Sequence, residues 1–149
     1  MSGFFELKTS SDLYKKAKSE YENFCENPND YDLFNLITSL YHLREWIHPL
    51  KQDTYANKNK SEYSIEELIH SNLHENENYQ IIRLLCNNSK HFNNIKITER
   101  TEVSNGFQFG LNTFGDSFGQ RNYLVDGQDL RSIINKVFKI YDTYYEDKN

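Results

Sequence analysis

The sequence predicts a mainly α-helical fold, a bundle of four or five helices with an antiparallel β-hairpin inserted before the last one. Three observations predict it. Apolar residues recur at helical spacing in four stretches up to Phe92, the stretch from about Ile95 to Val125 turns to alternation with many glycines and aromatics, and helical spacing returns after Asp126-Gly127. Together they describe a single domain over residues 1–149.

The first helix is expected in SSDLYKKAKSEYENFCENP, where Ser and Asp are N-cap candidates, Leu13, Ala17, Tyr21 and Phe24 share a face, and Asn27-Pro28 ends the run. The second, NDYDLFNLITSLYHLREWIHP, again opens on Asn and Asp and stops at Pro49. Leu33, Leu36, Ile37, Leu40, Leu43 and Ile47 form its apolar stripe. Residues 51–61, KQDTYANKNKS, have no periodicity and read as a polar surface loop that could cover a site. Ser64 and Glu67 have the spacing of a capping box and start a short third helix, SIEELIHSNL, while YQIIRLLCNNSKHF makes the fourth. NNIKITERTEV, the Asn105-Gly106 turn signal and FQFGLNTFGDSFGQRNYLVDG then predict two or three strands between about Ile95 and Val125. In the last helix Leu130, Ile133, Ile134, Val137, Phe138 and Tyr141 fall on one side, and the charged residues after it are expected to fray.

Composition narrows the function. The chain carries 17 basic and 22 acidic residues for a net charge of -5, which argues against broad attraction to a polyanion but leaves room for a local basic patch. Aromatic residues make up 15% of the chain, too many for disorder, so rings are expected to build much of the core. No signal-peptide run and no membrane-length apolar run occur, which predicts a cytoplasmic protein with no membrane contact. Cys25 and Cys86 lack the paired spacing of a zinc or redox motif and read as two buried thiols.

The candidate chemistry lies on the fourth helix. At about 100° per residue, Arg83, Asn87, Lys90 and His91 fall within one polar sector, opposite Ile81, Ile82, Leu85, Cys86 and Phe92. A guanidinium and an ammonium can stabilise a developing negative charge, and an imidazole can transfer a proton. The same residues also suit a plain helix ending, since cations sit well at a helix C-terminus. On the second helix Arg44 falls among core positions and needs an acceptor, for which a bridge to an acid on a neighbouring helix or a reach to solvent is the structural alternative to catalysis. His48, before Pro49, reads as a C-terminal capping residue. His70 and His74 have the i,i+4 spacing of metal ligands, but no third ligand is evident and a helix surface is the simpler reading. Neither a P-loop, a Rossmann fingerprint nor a nucleophile elbow is present, so no cofactor and no metal are expected.

At HLREW, followed by NNSKHF, the sequence resembles small bacterial helical proteins of the HEPN type. The resemblance covers the two motif helices, from about Asp32 to Pro49 and from Tyr79 to Phe92. It implies a bundle of four or five helices, often a homodimer, with polar residues of two helices meeting in a cleft. Many such proteins are metal-independent RNases of toxin-antitoxin and antiphage defence systems. Carried over, His91 becomes the general acid or base, Arg83 and Lys90 phosphate contacts, Asn87 an orienting residue and Glu45 the acid from the second helix. Arg44, from its own place on that helix, is a further candidate substrate contact. The spacing departs from that pattern: Arg44 and His48 lie closer together, and Arg83 and His91 farther apart, than the Arg and His of the RNase members.

Two functions of different class follow. One is a HEPN-like RNase acting on RNA. The other is a non-catalytic antitoxin, adaptor or inhibitor that holds a protein partner through the aromatic hairpin from Phe107 to Tyr123. The RNase reading expects cleavage of a mixed RNA pool in EDTA that disappears in His91→Ala.

Overall fold

The first helix begins where a side chain can close it. Thr9 is the N-cap of α1 (Ser10–Glu26): its hydroxyl accepts from the Asp12 N–H at 3.2 Å, and the Asp12 carboxylate accepts from the Thr9 N–H at 2.8 Å. The capping box therefore sits just before the expected Ser and Asp, with Asp12 as its third helical residue. The computed structural model describes residues 3–90, 95–105 and 121–148, apart from the side chains of Lys90 and Ile95.

Helix α2 (Asp30–Ile47) is capped by Asn29, whose side chain accepts from the Asp32 N–H at 2.9 Å, and it ends at His48 before Pro49. Five of its six expected stripe residues, Leu36, Ile37, Leu40, Leu43 and Ile47, are buried, and Leu33 is partly so. The segment that follows is not a loose surface loop. It forms 3-10 turns at Gln52–Thr54 and Lys60–Glu62, buries the Tyr55 ring to 1% exposure, and ties itself to the next helix through Lys58–Glu67 at 2.9 Å and Lys60–Glu75 at 3.2 Å. Helix α3 (Ile65–Glu75) has the expected Ser64–Glu67 capping box. Helix α4 (Glu77–Lys90) starts earlier than its apolar pattern, because the Asn76 side chain accepts from the N–H groups of Asn78 and Tyr79.

Two boundaries of the expected hairpin change. Ile95–Thr98 forms a single helical turn, α5, instead of opening a strand; four residues of the form Ile-Lys-Ile-Thr are too short for periodicity to separate the two, and Ile97 reaches the core from the turn. Strand β1 (Thr101–Asn105) pairs antiparallel with β2 (Arg121–Val125), from Thr101 opposite Val125 to Asn105 opposite Arg121. That register rules out a two-residue turn at Asn105-Gly106, and the connection, which holds most of the aromatic segment from Phe107 to Tyr123, lies outside the described residues. The tight turn is instead Asp126-Gly127, with φ of 51° and 78°, which joins β2 to β3 (Gln128–Asp129) and completes a three-stranded antiparallel sheet. Both positions require positive φ, as a type I′ turn does.

Helix α6 (Leu130–Lys148) buries every residue of its expected face and adds Tyr144. It runs to Lys148, which meets Glu66 of α3 at 3.4 Å. The fold is thus a mainly α-helical bundle with a small antiparallel sheet before the last helix, six helices among the described residues. Cys86 is buried as expected, whereas Cys25 is only partly so. No helix of the described residues is long and apolar enough to cross a membrane.

Helices α2 and α4 run antiparallel. The Tyr79 hydroxyl donates to the Tyr41 carbonyl at 3.2 Å near one end of the pair, while Leu85, Asn88 and Ser89 share a groove with Leu33 and Phe34 near the other. Truncation of the shared core should be costly. Leu40→Ala is expected to lower the unfolding free energy by about 2–5 kcal/mol, against less than about 0.5 kcal/mol for Tyr31→Ala on the exposed start of α2, as read by urea titration.

Candidate functional site

The most organised polar group in the described structure lies where α2 ends. Arg44 is in the last turn of α2, His48 is its C-cap residue, Tyr55 hangs from the following segment, and His70 and His74 stand one turn apart on α3. Arg44, Glu45, His48, Gln52, His70 and His74 line a cleft of about 230 Å³, with Pro49, Leu50 and Lys51 completing its wall.

Arg44 does not find the acid expected of it. Its Nε donates to the His70 carbonyl oxygen at 3.0 Å, and its Nη2 donates to His70 Nδ1 at 3.1 Å and to Gln52 Oε1 at 3.3 Å. The guanidinium carbon also lies 5.8 Å from the centre of the Tyr79 ring. Among the described residues no carboxylate comes within 4.0 Å of it; those on the bundle surface nearby have other partners, Glu67 with Lys58 and Glu45 with His42 at 3.9 Å. A guanidinium has five N–H donors, and the two on Nη1 meet no acceptor among the described residues.

His70 is the brace. It is 3% exposed, not the helix-surface residue its spacing with His74 suggested. Arginine only donates, so Nδ1 carries no proton and the ring is neutral with its hydrogen on Nε2; the Tyr55 hydroxyl donates to the same nitrogen. Burial first, and then the positive charges of Arg44, His48 and His74, pull the His70 pKa down to about 3. Burial likewise raises that of Tyr55, which keeps its hydroxyl a donor. His48 stacks edge-on to both rings, 5.3 Å from Tyr55 and 5.1 Å from His70, and its Nε2 is buried without a hydrogen-bond partner among the described residues. Three imidazoles at one cleft could suggest a metal, yet no group of His, Cys, Asp and Glu among the described residues has the geometry to hold one.

The polar face expected on α4 is described only in part. Arg83 is partly buried and its Nε donates to Gln80 Oε1 at 2.6 Å, which in turn links to the α3 end through the His74 carbonyl. Asn87 is partly buried on the same helix. The Lys90 side chain and His91 lie outside the described residues. Arg44 and Glu45 stand at the Tyr79 end of α4, whereas Lys90 closes the other end, about 16 Å away along the axis. Glu45 and Arg44 are therefore brought together with His48, His70 and His74, and not with the end of α4.

What sequence reasoning missed is the pairing of His70 with Arg44 and the role of Tyr55. A signal existed in Arg44 itself, a charged residue inside an apolar stripe, but its acceptor is 26 residues away and part of it is a backbone carbonyl. No family model, curated protein or solved structure matches the chain.

His70 makes stability depend on pH. Between about pH 3 and 6.5 the unfolded chain binds a proton at this residue and the folded chain does not, so its contribution is complete above pH 6.5 and declines as pH falls toward 3. The melting temperature of the wild type should rise from pH 4.5 to 6.5 more steeply than that of His70→Gln, which keeps an acceptor but does not titrate. Parallel profiles in a thermal scan would remove His70 as the cause.

Proposed function

We propose that the chain is a HEPN-like component of a bacterial defence or toxin-antitoxin system that acts on RNA without a metal, and that its working site is the cleft at Arg44. One observation carries this reading: a braced guanidinium with two free donors and no carboxylate partner stands beside three imidazoles in a chain whose net charge is negative. Such a group attracts a phosphate, and fixed donors stabilise its developing charge better than mobile ones.

The chemistry needs only the chain's own groups. The 2′-oxygen of the RNA attacks the adjacent phosphorus while an imidazole takes its proton. The bond from phosphorus to the 5′-oxygen breaks, and the imidazolium so formed gives its proton to that leaving oxygen. The products are a 2′,3′-cyclic phosphate and a 5′-hydroxyl. Arg44 holds the non-bridging oxygens, and His74, exposed on the cleft, exchanges protons with solvent. A homodimer, as in many HEPN-type proteins, belongs to the same proposal.

A second reading has its own support. The groove between α2, the end of α4 and the sheet encloses about 340 Å³ and is lined largely by apolar residues, with Phe34 53% and Val103 51% exposed beside it. Exposed apolar surface of this kind suits a protein partner.

Purified protein incubated with a mixed RNA pool in EDTA separates the two. Wild type is expected to leave cyclic-phosphate ends, and His74→Ala to slow cleavage about 100-fold or more with an unchanged unfolding midpoint. Loss of cleavage in His91→Ala but not in His74→Ala would move the site to α4. A folded wild type that cuts nothing would leave the partner-binding reading.

A further inference from the structure

The same cleft has features that narrow its ligand. Its volume of about 230 Å³ falls below the range of roughly 300–1,000 Å³ usual for sites that enclose a whole small molecule. It therefore fits a single charged group with part of what carries it. The fixed positive charge comes from Arg44 inside and Lys51 on the exposed rim, opposed by Glu45, whose carboxylate lies toward His42. Nε and Nη2 of Arg44 are held by His70 and Gln52, which leaves Nη1, with two diverging N–H groups, as the nitrogen that can meet a ligand. An Nη1 N–H can donate to a phosphate oxygen while the guanidinium charge attracts the group as a whole.

Next to these donors the wall becomes apolar. Pro49 and Leu50 follow His48 directly, and Leu50 is 56% exposed. A charged pocket for a phosphate bordered by an exposed apolar step is the arrangement that a nucleotide, with a phosphate at one end and a flat apolar base at the other, would use.

We propose that the Arg44 cleft binds a phosphate monoester on a nucleoside, the terminal phosphate of an RNA chain or of a free mononucleotide, in preference to an internal phosphodiester. The proposal rests on the reading of this cleft as a phosphate site. A monoester carries close to two negative charges at neutral pH and three terminal oxygens, against one charge and two free oxygens for a diester, so it gains more from Arg44 and Lys51 together. The ribose and base then lie over Pro49 and Leu50. His48, whose buried Nε2 has no partner, borders the phosphate and makes the empty cleft the more costly state.

The test uses the full chain and short oligonucleotides with 2′-O-methyl sugars, which lack the nucleophile for cleavage, so its result does not depend on whether the protein is an RNase. Fluorescence anisotropy compares one sequence with a 5′-phosphate, a 3′-phosphate or hydroxyls at both ends, and adenosine monophosphate and inorganic phosphate serve as competitors. The expected result is about tenfold or tighter binding of an end-phosphorylated strand, lost in Arg44→Gln and weakened in Lys51→Glu and Leu50→Ser. Competition by the mononucleotide at low concentration assigns the site to free nucleotides, and its failure to compete assigns it to chain ends. Equal binding of phosphorylated and hydroxyl-ended strands overturns the proposal, as does tighter binding of a phosphoserine peptide. If Arg44→Gln does not fold, Lys51→Glu and Leu50→Ser, both at exposed positions, decide the matter by the same comparison.

Discussion

The enclosure of α2 is the constraint on which the other elements depend. Leu36, Leu40 and Leu43 are fully buried, and the helix packs against α1, α3 and α4 while tyrosines from two other helices close on its backbone. Tyr141 of α6 donates to the Leu40 carbonyl at 2.9 Å and Tyr79 of α4 to the Tyr41 carbonyl at 3.2 Å. Each carbonyl has a second lone pair to offer, so a ring can bury its apolar body in the core and still satisfy its hydroxyl without breaking the helix. Among the described residues the core is nevertheless mainly aliphatic, and rings such as Phe24, Tyr79, Phe138 and Tyr141 complete it, fewer than the aromatic content of the sequence suggested.

Arg44 continues that pattern at the end of the helix and turns it toward solvent. One turn beyond Tyr41, the helix partner is no longer a hydroxyl but the carbonyl and imidazole of His70, and the donor is now a guanidinium. Because the brace is neutral, it positions the charge without cancelling it. The Tyr55 hydroxyl reinforces this from the adjoining segment, which explains why a stretch of polar composition is held to the bundle by a buried ring and two ion pairs. The cleft and the core are therefore continuous: what orders α3 against α2 also aims the guanidinium.

Much of this architecture was legible in the sequence. The stripes of α2 and α6 were plain because apolar spacing over four or five turns has one structural solution, and the Ser64–Glu67 and Asn29 caps were plain because a helix start needs local acceptors at fixed offsets. The residues 95–98 and the strand register were not, since a four-residue run carries too little periodicity and Asn105-Gly106 is only a local preference that a distant pairing, Asn105 with Arg121, overrides. The candidate site was legible as residue types but not as a set. Arg44 was found by its place on a helix wheel and Glu45 by the family resemblance, yet neither says which neighbour faces them.

The sequence alone thus determined a mainly helical domain with a late antiparallel insertion, the core faces of its long helices, and the oddity of an arginine in an apolar stripe. Local spacing and capping chemistry suffice for those, because they depend on residues within a turn or two of one another. Tertiary structure alone decided that His70 is buried and neutral, that Tyr55 reaches it, and that Arg44 meets an imidazole and a carbonyl instead of an acid. Those outcomes depend on how α3 and the 3-10 turns settle against α2, and on the desolvation that follows when they do.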